Sequence, residues 1–372
     1  MTTADDHART RIRVDLAATM LVVAGAGTGK TTALVQRIVE LVTTGTATLR
    51  EIAAITFTEA AAAELRDRVR RAIDAEAKMR PDDARLAAAR HDVDEAAICT
   101  LHAFARRIIT EHSVATGVPP GFEVLGDTAE RSDFDARWGT FADALLADPD
   151  AEPALVRGFA LGLSPAALVE VARSMYAQQD RLDADALRAL ATAQPGRHGW
   201  PVVTTRSVVD AIDTALAYEP SCTDPDDKLA VHLRDVLVPA RALLASVPVH
   251  DAADVADEAV LQALDNTPKL GCGKGQAGNW AIPVTDVRAA CAAAETARSE
   301  MLDAVRRAVA ADLGARLAAF VVAVAEQRRI EGKLGFGDLL VCARDLLRRD
   351  PEAARSLRRR YTRLLVDEFQ DT

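Results

Sequence analysis

The sequence has few cysteines, few aromatic residues and no long hydrophobic run. Its five cysteines form no C-x-x-C pair, which argues against a disulfide framework and against a zinc site. Residues 317–325, one of the longest apolar runs, reach about half the length needed to cross a bilayer. The acidic N-terminus has no hydrophobic segment typical of a signal peptide. These absences predict a cytoplasmic protein with reduced thiols and no membrane segment.

Positive charge is scarce as well, because the formal net charge is -10 and only six of the 45 basic residues are lysine. A strongly acidic balance disfavours a general surface for binding polyanions. It does not exclude nucleic acid, since a motor protein can track a single strand through one local groove.

The 372 residues exceed one compact core and suit two domains. Near the N-terminus, apolar runs alternate with helical patterns, which is typical of a parallel α/β sheet. Residues 127–331 favour alanine-rich amphipathic helix, with one long helix at 284–331. We expect an α/β sheet domain (1–122 and 333–372) interrupted by a large, mainly helical inserted domain (123–332). The expected strands are residues 20–24, 52–57, 96–100 and 363–366, and two expected helices are residues 31–42 and 60–73.

A glycine-rich loop with a lysine lies between the first expected strand and helix. Backbone N–H groups of such a loop can close around a β-phosphate at a helix N-terminus. Lys30 can then reach the β- and γ-oxygens, and the Thr31 hydroxyl can ligate Mg²⁺. The alternative is a glycine turn without a ligand, which the flanking strand and helix disfavour. The expected nucleotide-binding residues are Ala24, Gly25, Ala26, Gly27, Thr28, Gly29, Lys30, Thr31 and Thr32.

A second glycine-rich stretch, residues 271–275, also contains a lysine, Lys274. No Ser or Thr follows this lysine and no expected strand precedes it. The pattern therefore predicts a flexible loop rather than a nucleotide site.

The last expected strand ends in two carboxylates, Asp367 and Glu368. Ligands of open α/β sheets gather at the carboxyl ends of strands. Asp367 is expected to face Thr31 across a magnesium ion, and Glu368 to orient and deprotonate an attacking water. A solvated loop would explain the pair if it stood alone. Together with the glycine-rich loop, the pair predicts a site that hydrolyses a nucleoside triphosphate.

Four segments, in this order, resemble motifs of the UvrD/RecB-like superfamily 1 DNA helicases. The resemblance implies a RecA-like P-loop NTPase fold that uses ATP and Mg²⁺. It also implies that Gln370 senses the γ-phosphate and acts in catalysis with Lys30 and Glu368. The segments are A-G-A-G-T-G-K-T (24–31), I-T-F-T-E-A-A-A-A-E-L (55–65), T-L-H-A-F (100–104) and D-E-F-Q-D-T (367–372).

The resemblance further implies that five residues line the path of single-stranded DNA: Thr56, Phe57, Thr58, His102 and Phe104. An exposed phenylalanine beside a strand end offers a stacking face to a base. Taken alone, Phe57 could equally be a core aromatic and His102 a structural histidine. The glutamine with which the family reads adenine has no counterpart among residues 6–11.

The long segment between Phe104 and Asp367 is typical of RecB/AddA-type recombination helicase–nucleases, and residues 334–347 resemble a helix of those proteins, with a lone Asp338. This implies an ATP-dependent helicase with 3′–5′ polarity in double-strand-break repair. Its partners would be single-stranded and duplex-end DNA and a partner helicase–nuclease subunit.

The alternative is a nucleotide- or DNA-binding module without motor activity, which would apply if the chain ends at Thr372. The family's second motor domain supplies arginines to the ATP site. We therefore expect residues 1–372 alone to bind nucleotide weakly and not to unwind DNA.

Overall fold

The computed structural model describes residues 4–23, 25, 28–179, 184–193, 199–247 and 256–369. They form two compact units: a sheet unit (Met1–Thr128 and Gln327–Thr372) and a helical unit (Ala129–Glu326). The strands are β1 (Ile52–Thr56), β2 (Ala97–Thr100), β3 (Glu123–Val124), β4 (Lys333–Leu334) and β5 (Arg363–Val366). The helices are α1 (Ala4–Val14), α2 (Lys30–Thr43), α3 (Glu59–Met79), α4 (Ala84–Asp92), α5 (Leu101–Glu111), α6 (Ser113–Thr116), α7 (Asp127–Ala147), α8 (Glu152–Ala160), α9 (Pro165–Ala177), α10 (Ala184–Thr192), α11 (Arg206–Leu216), α12 (Lys228–His232), α13 (Val238–Ser246), α14 (Ala256–Asn266), α15 (Val284–Glu331), α16 (Phe336–Arg349) and α17 (Pro351–Arg360).

A parallel sheet with the strand order β2-β1-β5 forms the centre of the sheet unit. Every residue of the central strand β1 is buried. Alternate side chains enter different apolar clusters: Ile52 packs with α2, α3 and α4, whereas Ile55 packs with Leu101 and Tyr361. Burial on both faces explains why β1 is a continuous apolar run rather than an alternating pattern.

A short parallel pair, β3 with β4, joins the two chain segments of the sheet unit. The following helix α16 begins at a buried carboxylate, because the Gly335 N–H donates to Asp338 Oδ2 at 2.8 Å. Arg328, which is fully buried, places its Nη1 3.8 Å from the same oxygen. Asp338 therefore stabilises the start of α16 and compensates a buried arginine.

Helices α7–α15 build the helical unit, and several of the scarce aromatic residues lie in its core. Phe320 is the centre of this aromatic cluster, with its ring centroid 4.6 Å from that of Phe141 and 5.4 Å from that of Trp138. Within the described residues, α15 is the helix whose length and composition alone would allow it to cross a membrane. Half of its most apolar window is buried, and residues such as Leu313 and Val321 pack in this core. It is a core helix of the helical unit.

The expected strand at residues 20–24 is wrong over the four residues that the structure describes. Residues 20–23 adopt no regular structure, and the side chains of Leu21 and Val23 are 77% and 88% exposed. A strand needs a hydrogen-bonded neighbour, and no described strand pairs with these residues. The other expected strands and helices of the sheet unit are present within a few residues, so a small parallel sheet among many helices is confirmed.

Candidate nucleotide site and strand path

The glycine-rich loop leads directly into α2, whose first residue is Lys30. Gly29 precedes the helix with a φ of 87°, a left-handed conformation that glycine adopts without strain. The first intrahelical bond runs from the Ala33 N–H to the Gly29 carbonyl at 3.0 Å. The preceding N–H groups, those of Lys30, Thr31 and Thr32, therefore lie at the positive end of the helix dipole and can bind an anion.

The loop before α2 is closed by a hydrogen bond from the Thr28 hydroxyl to the Gly25 carbonyl at 2.7 Å. Three of the expected nucleotide-binding residues, Ala24, Ala26 and Gly27, lie outside the described residues. Gln370, the expected γ-phosphate sensor, lies outside them too.

The acidic pair follows β5 at the carboxyl edge of the sheet. The Asp367 N–H donates to the Ile55 carbonyl at 2.8 Å and so extends the pairing of β5 with β1. Glu368 has a φ of 52°, the one positive φ among the described residues other than glycine. Such a conformation costs about 1–3 kcal/mol and is concentrated at functional sites. It turns the Glu368 side chain away from the strand direction.

Lys30 and Glu368 bring the loop and the acidic pair together, because Lys30 Nζ lies 3.4 Å from Glu368 Oε1. The two side chains are 28% and 40% exposed, so the pair contributes little to stability. Its importance is geometric, since it places the phosphate-binding lysine and the candidate general base at one site.

Thr31 and Asp367, the neighbours of that pair along the chain, are the candidate Mg²⁺ ligands. A hydroxyl and a carboxylate are the hard oxygen donors that Mg²⁺ prefers. The described residues hold no cluster of three or more His, Cys, Asp or Glu side chains that could cage a metal. This matches an ion that takes one or two protein ligands and completes its shell with phosphate and water. The donor set therefore fits Mg²⁺.

Two arginines that sequence reasoning did not single out hold α1 against this site. Arg37 of α2 is 9% exposed, and its Nη1 donates to the carbonyls of Ile12 at 2.5 Å and Asp15 at 3.0 Å. Burial lowers the pKa of Arg37, while the nearby Asp15 carboxylate raises it. Arg9 of α1 donates from Nη2 to the Thr28 carbonyl at 2.7 Å, inside the glycine-rich loop.

Three of the five expected DNA contacts follow one another at the end of β1. Thr56 is buried and donates its hydroxyl to the Thr58 carbonyl at 3.2 Å. Thr58 caps α3 by accepting from the Ala61 N–H at 3.1 Å. Phe57 lies between these two fixed residues and is 60% exposed. Its side chain is thus an exposed aromatic face on a rigid base.

The other two expected contacts, His102 and Phe104, lie in the first turn of α5. The preceding Thr100 pairs in register with Thr56, so α5 begins at the same sheet edge as Phe57. The His102 ring contacts the Phe336 ring edge-on, with centroids 5.4 Å apart. Phe104 instead packs against Tyr361, with centroids 5.2 Å apart, and belongs to the core of the sheet unit.

Phe336, which is 45% exposed, is a residue that sequence reasoning missed as part of this edge. It lies far along the chain from the other aromatic residues of the site, and only the fold brings it to His102. Its place directly after Gly335, at the start of an expected helix, was the available signal.

Comparison with known proteins extends these observations to the whole chain. The sequence profile described as "UvrD/REP helicase N-terminal domain" matches residues 5–372. The chain belongs to the UvrD/REP helicase family. The resemblance inferred from the four motifs is therefore confirmed.

The relatives of this UvrD/REP helicase domain carry the name of an ATP-dependent helicase/nuclease subunit. Those from Syntrophomonas wolfei and Pelotomaculum thermopropionicum are 34% identical over 109 residues and 36% identical over 111 residues, in each case 29% of this chain. The relative from Exiguobacterium sibiricum is 39% identical over 107 residues, or 28% of this chain. Each match covers 9% of the relative's own length. Their names agree with the expected similarity to recombination helicase–nucleases.

Proposed function

We propose that this chain is the first motor domain of an ATP-dependent DNA helicase that acts in DNA repair. The contact between Lys30 and Glu368 is the observation that carries the proposal. It joins the two halves of a nucleotide-hydrolysing site at the sheet edge that also carries Phe57. Hydrolysis and strand contact would thus share one rigid support.

Each residue of the site has a role that its chemistry allows. Lys30 and the N–H groups of the first turn of α2 bind phosphate oxygens. Mg²⁺, held by Thr31 and Asp367, would neutralise charge on the β- and γ-phosphates. Because phosphate oxygens compete with Glu368 for the Lys30 ammonium, a bound triphosphate releases Glu368 to accept a proton from water. The family resemblance assigns γ-phosphate sensing to Gln370.

The proposed strand path follows the carboxyl edge of the sheet through Phe57, His102 and Phe336. Bases can stack on the exposed Phe57 ring, and the paired rings of His102 and Phe336 offer a second face. Thr56 and Thr58 act by fixing Phe57, and Phe104 acts by supporting α5 from the core. The DNA would be single-stranded or a duplex end, as the resemblance implies.

Several finer features rest on the resemblance and on the relatives' names. We propose 3′–5′ polarity, a role in double-strand-break processing, a cytoplasmic location and a partner helicase–nuclease subunit. The two compact units would then be the first motor domain and its helical insertion.

Glu368→Gln tests hydrolysis in the longest natural polypeptide that contains this chain. The variant should still bind ATP, because the amide keeps the shape of the carboxylate. It should lose about 10²- to 10⁴-fold in DNA-stimulated hydrolysis, because the amide cannot accept the proton. Phosphate release and ATP binding are measured side by side. Normal turnover by Glu368→Gln would refute the assignment of the site.

Phe57→Ala tests the strand path on residues 1–372. Loss of a stacking face should weaken binding of a labelled oligothymidine about tenfold, the lower part of the range for one stacked base. Because the ring is exposed, the thermal unfolding temperature should not change. Phe104→Ala is the matched comparison: it should lower the unfolding temperature through lost packing. Unchanged oligothymidine affinity in Phe57→Ala would contradict the proposed path.

A further inference from the structure

The hydrogen bond from Arg9 to Thr28 fixes the orientation of one peptide group in the phosphate loop. Arg9 Nη2 lies 2.7 Å from the Thr28 carbonyl oxygen. The peptide between Thr28 and Gly29 is planar and trans. The Gly29 N–H therefore points opposite to the Thr28 carbonyl, away from the Arg9 guanidinium. Holding the carbonyl outward turns this N–H donor to the other side of the loop.

This peptide group needs support from outside the loop. Gly29 has a φ of 87°, and glycine rotates between backbone conformations at little cost. Thr28 itself is exposed, and its hydroxyl bonds only to another part of the same loop, the Gly25 carbonyl. The Arg9 bond, in contrast, connects the loop to a separate helix.

That helix is itself anchored. Arg37, on the first helix after the loop, binds the carbonyls of Ile12 and Asp15 at the end of α1, and that of Ala18 at 3.1 Å. A buried guanidinium with three carbonyl acceptors is a strong tie, because hydrogen bonds from a charged donor are the stronger class. Arg9 therefore projects from a fixed helix onto the loop.

We propose that Arg9 is a positioning residue for the phosphate loop. It holds the Thr28–Gly29 peptide so that the Gly29 N–H faces the β-phosphate of the nucleotide. This inference rests on the proposed function. It assigns to α1 a role in phosphate binding, in a region where the sequence offers no glutamine to read adenine.

The proposal predicts dependence on the β-phosphate. ADP presents the group that the Gly29 N–H would contact, and AMP lacks it. Arg9→Met should therefore weaken ADP binding about 5- to 10-fold, the range for one hydrogen bond of about 1 kcal/mol or slightly more. AMP binding should stay within about twofold of wild type. Arg9→Lys, which keeps a cationic donor, should recover part of the lost ADP affinity.

The experiment is calorimetric titration of residues 1–372 with ADP and with AMP. Arg13→Met is the charge control, because Arg13 is an exposed arginine on the same helix. Lys30→Ala is the control for the site itself. Circular dichroism checks folding, and Arg9→Gln serves as the second variant if Arg9→Met unfolds the chain.

The outcomes separate the two claims. Selective loss of ADP affinity in the Arg9 variants, with Arg13→Met unchanged, supports the positioning role. Wild-type ADP affinity in Arg9→Met, or equal loss in Arg13→Met or for AMP, overturns it while Lys30→Ala still reports on the site. ADP binding by Lys30→Ala at wild-type strength, or no ADP binding by the wild-type chain, overturns the proposed function and this inference together.

Discussion

Two glycine-rich loops of this chain contain a lysine, and they behave differently. The loop before Lys30 ends at the first turn of a helix, where N–H groups are available to a ligand. The loop at residues 271–275 ends in a short 3-10 turn, Ala277–Asn279. Similar composition therefore gives an anion site in one place and a structural connection in the other. The decisive difference is what the backbone groups already bind.

In the second loop and beside it, side chains of the helical unit occupy the backbone groups. Arg288 donates to the carbonyls of Lys274 at 3.0 Å and Gly275 at 2.9 Å. The Gln276 N–H donates to Asp227 Oδ2 at 2.8 Å. The expectation of a loop there is confirmed, and its hydrogen bonds tie it to the helical unit.

The largest expected effect is on nucleotide binding. Lys30→Ala should weaken ADP binding to residues 1–372 about 100-fold, or about 2.7 kcal/mol, because it removes a charge-assisted contact to phosphate. Lys274→Ala is the matched control, since Lys274 is an exposed lysine in the other loop. Titration with ADP measures both. Equal losses in the two variants would erase the distinction between the loops.

A methyl group at Gly275 should destabilise the helical unit by about 2 kcal/mol. Gly275 has a φ of +105°, and an added Cβ would lie 2.9 Å from the Cβ of the fully buried Leu229. Gly273→Ala should be nearly neutral, because nothing lies within 4 Å of its Cβ position. Urea unfolding is followed by tryptophan fluorescence, since the chain's three tryptophans all lie in the helical unit. A Gly275→Ala variant as stable as wild type would contradict the tight loop.

The smallest expected effect concerns pH. Burial raises the pKa of Asp227, but hydrogen bonds from the N–H groups of Gln276 and Leu229 and the Asn279 amide hold it below its usual value. A carboxyl with a lowered folded-state pKa contributes stability above its unfolded pKa, near 3.8, and loses it as the pH falls through the folded value. Asp227→Asn should therefore cost about 1–2 kcal/mol at pH 6 and less at pH 3.

The same tryptophan signal, recorded at both pH values, checks this prediction. Asp226→Asn is the control because Asp226 is the exposed neighbour. A cost for Asp227→Asn that does not shrink at pH 3 would show that the carboxylate charge is not what stabilises the loop.

The secondary structure of the sheet unit was largely predictable because its signals are local. Thr58 caps α3 as expected, and Gly45, with a φ of 74°, follows the end of α2. The strand at residues 20–24 failed because pairing depends on a neighbouring strand rather than on the run of apolar residues. An apolar run such as Leu21 to Val23 has the pattern of a buried strand but is exposed here.

The sequence by itself determined the nucleotide site, because order and spacing are enough to recognise a glycine-rich loop, a lysine and a strand that ends in two carboxylates. Only the tertiary structure decided which aromatic residues are available to a ligand. Phe57 and Phe104 stand in equally suggestive motifs, yet one is exposed at a strand end and the other packs against Tyr361. It also decided that Arg9 holds the phosphate loop. Contacts between residues far apart in the chain depend on how helices pack, and local sequence does not encode that directly.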